Sequence, residues 1–250
     1  MEKFFKGKRP ISLHTVQIPQ NLRILSFAPH PDDFDEIGIT MRLFKENANP
    51  IHVGVIGSGA NGVDDSFCIS PTLQEKSRIR ENEQLRSLKF FGLTKAHLTF
   101  LHLQEDGLGH PKNTETNFQK TKAFFLKIRP DLVLLPHGND TNSSHRRAFN
   151  DLQKIAAQTK HPFTALLNRD PKTIDMRIDI YTPFGEKESR WKEKLLRFHE
   201  SQQQRNLNTR GYGCDQRILN FNRHVAKQIS KELLYAEAFE LKIFNSGQLH

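Results

Sequence analysis

Four short apolar runs, each followed by a stretch of helical pattern, restrict this chain more than any other feature. RILSFAP (23–29), IHVGVIG (51–57), LTFLHL (98–103) and DLVLLPH (131–137) are continuous rather than alternating in polarity. Runs of this length without alternation suit parallel strands covered on both faces. Helical patterns fall between and after them, over about 35–47, 74–91, 115–128 and 145–159. Strand–helix alternation of this kind predicts an α/β fold, with a doubly wound, mostly parallel sheet and helices on both faces. A later strand is expected over 177–182, helices near 186–204 and 215–232, and an extended segment over 235–244. With 250 residues, no repeat and no low-complexity linker, one domain over 1–250 is the simplest organisation, with 1–21 as an irregular N-terminal arm.

Composition removes several function classes. No run approaches the 18 or so apolar residues of a membrane span. The basic N-terminus lacks the apolar core and cleavage site of a secretory signal. Two cysteines, Cys68 and Cys214, cannot build a disulfide framework or a cysteine-rich zinc site, and they read as reduced thiols of a cytoplasmic protein. The formal net charge of +9 allows a nucleic-acid partner. The basic residues are nevertheless spread among acids, as on solvated helix faces, and no aromatic–basic interleaving is present. No nucleic-acid partner is therefore expected. The charge hints instead at an anionic small molecule, such as a phosphate-linked sugar or a sugar nucleotide. Oligomeric state is left open, a homo-oligomer included.

In open α/β sheets, ligands bind beyond the carboxyl ends of the strands. The first strand runs into His30, Asp32 and Asp33, the second into GSGANGVDD, and the third into QEDGLGH. The fourth leads to His137, Asp140, Asn142 and His145. His30, Asp32, Asp33 and His145 form a candidate mononuclear metal site, since zinc in hydrolases takes three His or carboxylate ligands and keeps a fourth position for water. One of two adjacent aspartates can ligate while the other takes a proton from that water, whose pKa the metal lowers toward about 7. Taken alone, paired aspartates before a helix are an ordinary N-cap, and a lone helix-start histidine is an ordinary surface residue. Convergence at adjacent strand tips favours the metal. A two-histidine, one-carboxylate iron site is a rival, but it belongs with all-β barrels, whereas this motif lies between a strand and a helix.

PHPDD and LPHGNDTNSSHRRAF resemble the PIG-L (LmbE-like) family of zinc-dependent N-acetylglucosamine de-N-acetylases. RENEQLRSLKFFGL, RIDIYTPFGEKESRWKEKLLRFHESQ and YAEAFEL resemble further blocks of that family in the same order, so the similarity runs from about 22 to 244. The resemblance implies a metal-dependent, Rossmann-like hydrolase that removes an N-acetyl group from an N-acetylated amino sugar or its conjugate. It implies that His30, Asp33 and His145 hold one Zn2+, with Fe2+ able to use the same ligands, and that Asp32 is the general base.

Two positions depart from the family pattern. Phe34 stands where the glutamate of the opening signature is usual, though Asp35 and Glu36 follow. Asn142 stands where many members have a histidine tied to oxyanion stabilisation or leaving-group protonation, and an amide cannot shuttle a proton. His137, another histidine, or Asp32 acting first as base and then as acid is left to compensate; alternatively the chain is a catalytically weakened, sugar-binding relative. Arg80, Asp106, His137 and Glu237 are expected to touch substrate. For Arg80 a helix ion pair with Glu83 competes, for Asp106 a turn, and His199 competes between packing and function. GSGANGVDD lacks the lysine and spacing of a phosphate loop, so its glycines are expected to let backbone pass close to the site.

Overall fold

A computed structural model describes residue 5 and residues 7–244. The first strand–helix units follow the expected order: β2 (Ile24–Ala28), β3 (Ile51–Val55), β4 (Leu98–Phe100) and β5 (Leu132–Pro136). Helices α3 (Leu73–Phe91), α4 (Glu115–Ile128) and α5 (Ser143–Gln158) alternate with them. The expected helix at 35–47 is two pieces, α1 (Asp33–Glu36) and α2 (Gly38–Glu46). The strands β4, β3, β2 and β5 lie side by side and parallel, with Ile24 opposite both Ile51 and Leu132. Order reverses between β2 and β5, which makes the gap beyond their carboxyl ends the switch point where such sheets bind ligands.

Alternate residues of each buried strand serve different layers. Ile24 and Ala28 of β2, with Leu132 and Leu134 of β5, pack with Met41, Phe44, Leu88, Phe91 and Leu195. Leu25 and Phe27, with Val133 and Leu135, pack with Phe125, Leu152 and Ile155 of α4 and α5. The period of two explains why these strands are apolar throughout: neither face meets water. Phe34, in place of the expected glutamate, points into the first layer, fully buried and edge-on to Phe91 at 4.9 Å between ring centroids.

The later chain departs further from expectation. A strand not foreseen, β6 (Phe163–Asn168), continues the parallel run beside β5. Its six residues, FTALLN, hold only four apolar ones, interrupted by Thr164, and so form no run long enough to mark a strand. β7 (Ile180–Phe184) lies two to three residues later than expected. β8 (Tyr235–Phe244) is antiparallel to both β6 and β7, so the sheet is mixed. The expected arm at 1–21 contains β1 (Ile11–Ser12), which pairs parallel with β7, and Leu13 is buried in the core. The single helix expected over 186–204 is α6 (Glu186–Leu196) and α7 (Glu200–Arg210), broken at Arg197–His199. The break turns His199 inward, where its Nε2 meets Asp35 Oδ2 at 2.5 Å. His199 is thus a packed histidine. α8 (Cys214–Ile229) packs on β8 through Val225, Ala226, Ala236 and Ala238. No helix among the described residues is long and apolar enough to cross a membrane.

Candidate metal centre

His30 follows β2 by two residues, and Asp33 opens α1; His145 lies in the first turn of α5. These three side chains converge, with one donor atom from each within 4.8 Å of the others. Asp33 lies between the histidines, its Oδ2 3.3 Å from His30 Nδ1 and its Oδ1 3.4 Å from His145 Nε2. The His30 backbone N–H also donates to Asp33 Oδ2 at 2.6 Å, which fixes the carboxylate. Behind His145, Nδ1 lies 3.2 Å from Asp140 Oδ2 and 3.3 Å from Asp170 Oδ2. A carboxylate on one ring nitrogen sets the tautomer that leaves the other nitrogen's lone pair free. That other atom, His145 Nε2, is buried and has no hydrogen-bond partner. A buried, unpaired ring nitrogen facing a carboxylate and a second imidazole fits a divalent cation.

Electrostatics around the cluster agree. Burial opposes ionisation of Asp33, but His145 and His30 outweigh it and hold the carboxyl well below its ordinary range. Burial likewise disfavours charge on His145, yet Asp33, with help from Asp140 and Asp170, lifts it to about 10. Glu36 is pushed well up, first by burial and then by the charges of Asp170, Asp33 and Asp32. Without a metal, a proton on His145 stands in for the cation that this much buried negative charge requires.

Asp32 faces the same cleft from a strained backbone, with φ 126° and ψ −30°. A non-glycine residue in such a region costs about 1–3 kcal/mol and persists only where neighbours hold it. Gln84 Oε1 accepts from the Asp32 N–H at 3.2 Å, and Arg80 donates to Asp32 Oδ1 at 2.8 Å and to the Pro31 carbonyl. Gly59, in the loop after β3, has φ +67° and lies so close that a Cβ there would be 3.1 Å from Arg80 Nε. This is the close backbone approach expected of the glycine loop.

The cleft has a volume of about 360 Å³ and is lined by His30, Asp32, Asp33, Arg80, His110 and Asn142, among others. Asn142 is the N-cap of α5, and its Oδ1 accepts from the Ser144 N–H at 2.9 Å. Arg80 lines the cleft; it is buried and holds Asp32, with Glu83 3.6 Å away. Three other expected substrate residues do not line the cleft. Asp106 accepts from the Leu108 and His110 N–H groups and shapes the turn that carries His110. His137 accepts from the Asn139 N–H, stacks on Phe149 and faces Glu240; it does not replace the missing histidine. Glu237 is buried against Lys192 at 2.7 Å and Thr40. It is correctly an internal ion pair, because a strand carboxylate facing α2 and α6 finds its donors there.

Sequence reasoning did not single out Asp170 or Gln84. Asp170 follows the unforeseen β6 and so had no strand tip to mark it. Gln84 lies on α3 among ordinary helix polar residues.

The sequence model of the PIG-L family, described as GlcNAc-PI de-N-acetylase, matches residues 25–156, more than half of the chain. The chain belongs to the PIG-L family. No curated protein sequence matches it. Among solved structures, the N,N'-diacetylchitobiose deacetylase of Pyrococcus horikoshii superposes with a TM-score of 0.71 at 17% identity, covering 88% of this chain and 83% of that one. A zinc-inhibited form of a teicoplanin deacetylase gives 0.65 at 10%, covering 88% and 98%. The 4-carboxy-2-hydroxymuconate hydratase GalB of Pseudomonas putida gives 0.59 at 16%, covering 88% and 95%. At these identities the structures share the fold with this PIG-L chain, and the hydratase shows that the fold carries more than one reaction.

Proposed function

We infer that this PIG-L protein is a metal-dependent hydrolase that removes the N-acetyl group from an N-acetylated amino sugar or its conjugate. The observation that carries the reading is the buried, unpaired Nε2 of His145 facing Asp33 and His30, with Asp32 on the same cleft. His30, Asp33 and His145 would hold one divalent metal, with zinc fitting the donor set and iron able to share it. The bound metal would supply a Lewis acid for the acetamide carbonyl and acidify water.

The chain's own residues supply the rest. Asp140 and Asp170 orient the His145 ring. Arg80 and Gln84 aim Asp32, which takes the proton of the attacking water and returns it to the leaving nitrogen. Asn142 can donate a hydrogen bond to the developing oxyanion but holds no transferable proton. The free thiols of Cys68 and Cys214 support a cytoplasmic setting.

Acetate release from N-acetylglucosamine conjugates tests the reading. Chelation is expected to abolish it, and Asp32→Asn to reduce kcat by about 10²–10⁴ with the fold intact. Release that ignores both changes contradicts the mechanism. Because Asn142 replaces a proton-shuttling residue, a second reading is a sugar-binding relative without turnover. Tight sugar binding with metal in place and no acetate released would favour it.

A further inference from the structure

The loop after β4, QEDGLGH, supplies no candidate ligand, yet its last residue reaches the metal cleft. His110 lines the cleft and is half-buried. Apart from His30, it is the one histidine that does so among the described residues.

The loop holds His110 in place from both sides. The Asp106 N–H donates to the His110 carbonyl at 2.8 Å, and Asp106 Oδ1 accepts from the His110 N–H at 3.0 Å. The next residue, Pro111, is pinned between two parts of the metal site. The guanidinium of Arg147, on α5 just past His145, donates to its carbonyl. Its ring packs on Gly57, where a Cβ would lie 3.1 Å from Pro111 Cγ and 3.1 Å from the Pro29 carbonyl oxygen. Pro29 directly precedes His30. His110 is thus fixed at the edge of the cleft, between the segments that carry His30 and His145.

The hydrogen bonding of the ring sets its proton. Asn61 Nδ2 lies 3.2 Å from His110 Nε2. An amide nitrogen only donates, so Nε2 accepts and Nδ1 carries the N–H. Among the described residues nothing accepts from Nδ1. The neighbouring amides on the cleft are spent: Gln202 Nε2 donates to the Gly62 carbonyl and Asn206 Nδ2 to the Gln202 carbonyl, both at 2.8 Å. Arg80 is held on Asp32. The neutral side-chain N–H groups left free on the cleft are those of Asn142 and His110.

We propose that His110 is a catalytic residue of the deacetylase reaction: its neutral Nδ1–H donates to the substrate's amide oxygen as negative charge develops there, beside Asn142. The proposal rests on the deacetylase reading above. Attack of water turns that oxygen from a weak acceptor into an oxyanion, and a hydrogen bond to an ion is about twice as strong as one to a neutral group. A donor fixed before the charge appears therefore stabilises the transition state more than the bound substrate. A neutral imidazole is sufficient as such a donor. No proton leaves His110; Asp32 keeps both proton transfers.

Two variants of the zinc-loaded full chain separate this role from packing. His110→Phe keeps the bulk of the ring and removes the donor. His110→Asn loses bulk but returns an amide N–H near the position of Nδ1. In acetate release from N-acetylglucosamine and its methyl glycoside, His110→Phe is expected to lower kcat by about 10²–10³, with KM changed less than about threefold. His110→Asn is expected to stay within about tenfold of wild type, and zinc content per chain should be unchanged in both. A packing role predicts the reverse order. If His110→Phe does not fold, His110→Ala replaces it, with the same order expected against His110→Asn. A donor-free variant that equals or exceeds His110→Asn in kcat, or a loss that falls wholly on KM, overturns the proposal. Acetate released equally by wild type and His110→Phe overturns this assignment alone. If wild type releases none from either substrate, the deacetylase reading fails and the assignment falls with it.

Discussion

Two buried networks of charge lie within this fold, and they differ in how completely they are satisfied. In the first, Glu237 accepts from the Ile39 and Thr40 N–H groups at 3.0 and 2.8 Å and from Thr40 Oγ1 at 2.5 Å. Lys192 spends its three protons on Glu237, Asn222 and the Glu36 carbonyl. The charges are matched one to one, and every donor of the ammonium is used. In the second, the imidazole of His145 meets three carboxylates, Asp33, Asp140 and Asp170, and its Nε2 still lacks a partner. The first network is closed and ties α2, α6 and α8 to β8. The second carries excess negative charge and an open donor position, the form a cation site takes before its cation arrives.

The largest expected effect separates the two by stability. Glu237→Gln should cost about 3–5 kcal/mol in chemical denaturation, since it leaves Lys192 buried and uncompensated, while metal content per folded chain stays at the wild-type level. A loss under about 1 kcal/mol would show that the closed network is not what holds α6 to the sheet. Next is the competition between metal and proton. His145 in the metal-free protein is lifted to about 10, so below that pH a proton occupies the open position. Metal affinity should therefore rise with pH, by about tenfold per unit and about 100-fold between pH 7 and 9. Affinity that is flat across this range would mean that His145 is not a ligand. The smallest effect belongs to Asn142. Asn142→Ala should cost about 1 kcal/mol of stability through the lost cap of α5, measured by thermal unfolding. A neutral result would show that the α5 start is held by its other contacts alone.

The same contrast explains what could be read from the chain. The parallel strands β2, β3, β4 and β5 were legible because continuous apolar runs end in polar, chemistry-bearing loops. His30, Asp33 and His145 were legible because these loops must meet at the switch point. β6 was not, since FTALLN is short and broken by Thr164, and Asp170 was lost with it. Glu237 was misjudged because an acid in an apolar strand looks the same whether it faces a cleft or a buried lysine 45 residues away in sequence. Arg80 lines the cleft, but its partner Asp32 lies 48 residues distant, on a φ that no local pattern predicts. Pairings of this range are set by packing, and periodicity carries no trace of them.

The central claim is that the open network is a metal site and the closed one is not. Calorimetric titration of zinc into the metal-free protein tests it most directly, with His145→Ala and Glu237→Gln run beside the wild type. One zinc per chain bound by wild type and Glu237→Gln, and none at this site in folded His145→Ala, is the predicted result. Equal binding by His145→Ala and wild type would contradict it.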